Sequence, residues 1–107
     1  MNRFEQRLHA SLEDEEVAAG YREMEAFINL VRGLDEAREQ LHIDKETLAA
    51  GAGIRRETLS RMLNAPDDAN PTLATITGLV SALGLTADIT LRRAEHGDAP
   101  LTVVLAL

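Results

Sequence analysis

The chain has 107 residues, 45% of them hydrophobic and 27% charged, and it contains neither cysteine nor tryptophan. These values describe one globular domain with a modest core, and they exclude a disulfide framework or a thiolate metal site. A net charge of −7 runs against the usual basic character of nucleic-acid binders.

No apolar run approaches the roughly 20 residues of a membrane span. The start, MNRFEQRLHASLEDEE, is too charged for a secretion signal. The expected location is therefore cytoplasmic.

Phe4, Leu8 and Leu12 recur at every fourth residue, which predicts a short first helix. A second helix is expected to begin near Asp14, a suitable N-cap. Along it Val17, Tyr21, Met24, Ile28 and Val31 alternate spacings of four and three, and Leu30, Leu34, Ala37 and Leu41 continue an apolar face. Two stripes on one long helix suggest two surfaces: the domain core late and another partner early. The plainer reading places both stripes in a single core. His42 ends this helix where a Gly would be more comfortable.

Asp44 is expected to cap the next helix, which runs to about Gly51, and Ile54 to Asn64 form another. Ala65-Pro66-Asp67-Asp68-Ala69 reads as a loop. Asn70-Pro71 then predicts a helix start, with Asn as cap and Pro at the first helical position. Leu73, Ile76, Val80 and Leu83 give this helix its buried face, and Gly84 closes it.

Beyond Gly84 the period shortens to two. Ile89 and Leu91 alternate with Asp88, Thr90 and Arg92, as in a half-buried strand. AEHGDAP, residues 94–100, reads as a turn. Leu101 to Leu107 is apolar at nearly every position, so a strand there needs cover on both faces. A lone hairpin is marginal and its edges invite another chain. The C-terminus is therefore read as a dimerisation element, the alternative being a hairpin folded onto its own helices.

The stretch Asp44 to Leu63, DKETLAAGAGIRRETLSRML, has the grammar of a helix-turn-helix. Ala49 sits where the two helices come close. Gly53 falls at the tight turn, where a left-handed backbone suits a Gly. Ile54 and Leu59 are apolar pegs, and Arg55, Arg56, Glu57, Ser60 and Arg61 are left to face outward. This layout can push polar side chains into a major groove from a helix fixed to a core.

Charge is unevenly spread. Residues 1–30 carry three arginines against seven acids, a net of −4, whereas 54–63 carry three arginines against one acid, a net of +2. The asymmetry suggests one cationic and one anionic partner. Glu13 to Glu16 also suit the first turn of a helix for dipole reasons alone.

Enzyme chemistry finds no support. His9, His42 and His96 lie in separate segments without metal-ligand spacing, and GAG at 51–53 lacks the rest of a phosphate loop. The chain is read as a non-enzyme without cofactor or metal.

LAAGAGIRRETLSRML followed by NPTLATITGLVSALGL resembles the Xre or Cro/C1-type helix-turn-helix domain, over roughly residues 26–92. With the acidic EDEEVAAGYREMEAF before it and TADITLRR after it, the chain is similar to HigA-type antitoxins of bacterial toxin–antitoxin pairs. The resemblance implies a mainly α, lambda-repressor-like helical domain with an N-terminal helical extension and a small C-terminal β-hairpin. The expected divisions are 1–25, an acidic helical extension; 26–85, the helix-turn-helix domain; and 86–107, a β dimerisation element.

The resemblance further implies a homodimeric repressor that binds a double-stranded palindromic operator of its own operon. It also implies neutralisation of a basic, RelE-like RNase toxin. By that likeness Lys45 contacts phosphate, Arg56 and Glu57 touch base edges with Ser60 one turn on, and Arg55, Arg61 and Asn64 grip the backbone. Arg suits guanine and Glu suits cytosine N4. The acidic N-terminal helices, with Phe4, Leu8, Leu12, Glu13, Val17 and Tyr21, would cover the toxin.

Departures from the family pattern are Lys45 where a Gln is common, and Asp67 and Asp68, which lengthen a usually shorter loop and would repel phosphate. Gly51 and Gly53 weaken the first helix of the motif. The rival readings are a stand-alone Xre-type regulator whose N-terminal helices only dimerise, and a protein-interaction module without DNA binding.

Overall fold

In a computed structural model the backbone is described for residues 3–66 and 71–107, and the side chains from residue 20 onward within those ranges. Four helices follow in order: α1, Arg3–Gln40; α2, Lys45–Ala52; α3, Arg56–Asn64; and α4, Leu73–Ala82.

α1 is one continuous helix of 38 residues, roughly 57 Å long at 1.5 Å per residue. The expected break before Asp14 does not occur, and Asp14 lies inside the helix. From Arg3 to Ala19 the sequence holds no Gly or Pro and is rich in Glu, Ala, Leu and Arg. Such good helix formers give an internal carboxylate nothing to terminate.

Three of the helices end in the same way. His42, Gly53 and Gly84 adopt left-handed φ values of 56°, 71° and 74°. The next residue donates its N–H five residues back: Ile43 to Arg38 O at 3.1 Å, Ile54 to Ala49 O at 3.0 Å, Leu85 to Val80 O at 3.1 Å. Each of those residues is apolar and packs against the core, completing a Schellman motif. The sequence places an awkward His and two permissive glycines at these points, and the backbone uses them as expected. The Arg38 guanidinium reinforces the first of these ends by donating to Ile43 O at 3.0 Å.

The helix starts differ in how well the sequence announces them. Asp44 caps α2, its Oδ1 accepting from Thr47 N at 2.7 Å. α4 begins later than Asn70-Pro71 suggests: Thr72 is the N-cap, accepting from Thr75 N at 3.2 Å. Thr72 holds extended backbone angles and an oxygen in reach of the third helical residue, so Pro71 falls before the cap. Asn70, with Asp67, Asp68 and Ala69, lies outside the described residues.

The core gathers Val31, Leu34 and Ala37 from α1, Leu48 and Ala49 from α2, Leu59 and Met62 from α3, and Leu79 and Leu83 from α4 and its end. α2 packs on α3 and α4, and α1 packs on α3. The α2–α4 contact is built from small residues. A Cβ added at Gly51 would stand 3.0 Å from Ala82 Cβ, and one at Gly78 would stand 3.5 Å from Ala52 O. Gly51 therefore weakens α2 locally while permitting the close approach of α4.

The C-terminal hairpin expected over 86–107 is not formed: the described residues contain no strand. Only the turn is present, with Asp98 N donating to Glu95 O at 3.1 Å and Gly97 at φ 88°. Asp98 is fixed there by Arg92 at 2.9 Å and by Glu95 N at 2.8 Å. Its carboxyl is held below the ordinary value by the Arg92 hydrogen bond first and the Glu95 amide second. The two flanking segments do not pair because the second is bound elsewhere. Leu101 O accepts from Asn29 Nδ2 at 3.5 Å, and Val103 sits against Gly33, both on α1. The first segment leaves Ile89 and Leu91 exposed.

Candidate nucleic-acid interface

α2, the turn at Gly53 to Arg55, and α3 form the helix-turn-helix unit. Its rigidity comes from beneath. Ala49 and Leu48 are buried on α2, Leu59 and Met62 on α3, and Leu59 is completely inaccessible. A Leu buried to that degree contributes about 1.5–3 kcal/mol through the removal of apolar area from water. The buried pair recurs at a spacing of three, so the opposite side of α3 is left to solvent.

That outer side carries the residues expected there. Arg55, Arg56, Glu57, Arg61 and Asn64 are exposed, and Ser60 is half-buried. Arg55 is the N-cap residue of α3 but makes no side-chain capping bond. Among the described residues, none of the ion pairs or side-chain hydrogen bonds engages Arg55, Arg56 or Arg61. Lys45, at the first position of α2, is half-buried. The motif thus presents three guanidinium groups on one short helix, with an ammonium at the start of the other.

One carboxylate tempers this field. Asp44 is held below its ordinary pKa, first by the Thr47 amide and then by the Thr47 hydroxyl; Arg56 and Arg38 add smaller attractions. Asp44 therefore stays ionised beside Arg56. Glu57 stands in the first turn of α3, where a carboxylate complements the helix dipole.

Of the residues assigned to an N-terminal partner surface, Tyr21 is 71% exposed, and Met24 and Phe27 are also exposed on α1. The side chains of Phe4, Leu8, Leu12, Glu13 and Val17 lie outside the described residues. Later on the same helix Val31, Leu34 and Ala37 turn into the core. No group of metal-binding residues occurs among the described residues, and no described helix is long and apolar enough to cross a membrane.

An outward cationic helix, pinned by aliphatic residues and joined to its predecessor by a left-handed Gly turn, defines the class of helix-turn-helix DNA-binding domains. The family HTH_3, Helix-turn-helix, matches residues 34–89, just over half of the chain. The chain belongs to that family, which is one of DNA-binding domains engaged in transcription regulation and binding double-stranded DNA. No curated protein and no solved structure gives a significant match.

Proposed function

We propose that the protein is a sequence-specific repressor that binds its operator as a homodimer. Two copies of α3 enter successive major grooves about 34 Å apart, one turn of DNA. The observation that carries this reading is the exposure of Arg55, Arg56 and Arg61 over the buried Leu59 and Met62. Arg56 and Glu57, in the first turn of α3, reach base edges, and Ser60 follows one turn on. Lys45, Arg55, Arg61 and Asn64 hold phosphates and fix the register.

Selection from a random duplex pool tests this. The expected product is a palindromic consensus with half-sites one helical turn apart. Recovery of no consensus would overturn sequence-specific recognition.

We further propose that the N-terminal part of α1 covers a cationic protein, in the manner of an antitoxin on an RNA-cleaving toxin. Residues 1–30 carry a net charge of −4, and Tyr21, Met24 and Phe27 offer apolar surface. An isolated helix of this kind is marginal in water, which favours a protein cover. A protein lacking residues 1–25 is expected to lose the product of any neighbouring toxin gene on co-purification while still binding DNA. Retention at full strength would overturn the assignment.

A further inference from the structure

Residues 101–107 read LTVVLAL, without charge, Gly or Pro. One side of this segment is already engaged: Leu101 O accepts from Asn29, Val103 meets Gly33, and Leu105 packs against the core. Thr102, Val104 and Ala106 are exposed between them, Val104 to 87%. Alternation at successive residues is the period of a β-strand.

The segment has the side-chain pattern of a strand without the hydrogen bonds of one. Among the described residues no backbone group of 101–107 bonds to another backbone group, and the same is true of 86–94. A cleft of about 220 Å³ separates the two, lined by Asp88 to Arg92 on one side and by Asp98 to Thr102 on the other. Unpaired rows of N–H and C=O groups on both walls form a template for another strand.

We infer that the cleft takes residues 101–107 of a second copy. This rests on the dimer reading above and deepens it by naming the surface. Two observations favour a copy of this chain over another occupant. First, LTVVLAL carries no charge, so it approaches its own image without the repulsion that two chains of −7 meet elsewhere. Uncharged segments of high β-propensity without Gly or Pro are those that pair with themselves.

Second, the exchange closes. If the partner's segment 101–107 fills this cleft, two-fold symmetry puts this chain's own segment into the partner's cleft. The sheet then runs 88–92, partner 101–107, 101–107, partner 88–92. Both edges of the central strands become paired, and the exposed Ile89 and Leu91 acquire a neighbouring strand.

The test uses the full chain, which has no cysteine of its own. Single substitutions Thr102→Cys, Val104→Cys and Ala106→Cys are oxidised and run on non-reducing gels, with Ser81→Cys as control. Light scattering gives the mass of the unsubstituted chain. The expected result is a mass of twice 11.7 kDa and an interchain disulfide from at least one of the three positions but not from Ser81→Cys. A dimer with no cross-link from any of the three overturns the strand exchange and leaves the dimer reading standing. A monomer overturns both. Val104→Lys, at an exposed position, is expected to keep its helical circular dichroism and to weaken dimerisation at least tenfold. Unchanged dimerisation also overturns the inference.

Discussion

The Cβ that Gly33 lacks would stand 2.7 Å from Cγ1 of Val103. The C-terminal arm is thus seated on α1 only because that helix position is bare. Gly20, on the same helix, has nothing within 4 Å of its missing Cβ. The two glycines should respond oppositely. Gly20→Ala is expected to stabilise the helix by about 0.5–1 kcal/mol, the ordinary gain of Ala over Gly, seen as a higher melting temperature. Gly33→Ala should lose that gain to the collision with Val103. Limited proteolysis should then cut the 86–107 arm faster than in the unsubstituted protein.

The Asp44 cap gives a pH signature. Its folded pKa lies below the ordinary 3.8, so its contribution to stability is present above that value and is lost as pH falls through the folded pKa. Asp44→Ala should lower the melting temperature at pH 7. The difference from the unsubstituted protein should shrink steadily below about pH 3.8. Thermal melts by circular dichroism between pH 2.5 and 7, as an approximate working range, check this. A difference that persists unchanged at the acid end would point to lost packing rather than a lost carboxylate cap.

Leu59 fixes the angle of α3. It has no accessible surface and neighbours Met62, Leu48 and Ala49 in the core. Leu59→Ala should cost about 2–5 kcal/mol by leaving a cavity, measured by urea denaturation. Domains of this size have only about 5–15 kcal/mol to lose. DNA affinity should fall with the folded fraction.

Arg56 is expected to behave differently, because it is exposed and bonded to nothing described. Arg56→Ala should leave the melting temperature nearly unchanged. Binding to the preferred duplex should weaken by about 1–3 kcal/mol, roughly 5- to 150-fold, with relaxed preference at one base position. Fluorescence anisotropy against a panel of single-base variants reads both effects. A flat response would remove Arg56 from the base-contacting set.

Most of the motif was legible in the sequence because it depends on local chemistry. Gly53 and Gly84 need left-handed backbone, Asp44 is a capping residue, and Leu59 repeats on a helical face. What was not legible depends on partners distant in sequence. Gly51 reads as a helix weakener until Ala82 is seen beside it. Gly33 has no local meaning without Val103, which lies 70 residues further on. The strand period of 101–107 is present in the exposure pattern, but α1, not the preceding segment, holds its inner face. Thr72 displaced Asn70 as cap because two adjacent capping residues compete and sequence alone does not rank them. At the N-terminus, capping signals suggested a break that continuous helix propensity overrode.

The central claim is that the guanidinium groups on α3 meet a phosphate backbone. The most direct test is the salt dependence of binding to the duplex upstream of the gene, measured for the unsubstituted protein and for Arg61→Ala. The expected result is a linear fall of log K with log salt concentration, and a slope shallower by about 0.9 in the variant, one phosphate contact fewer. Binding that ignores salt, or identical slopes for the two proteins, would contradict the account.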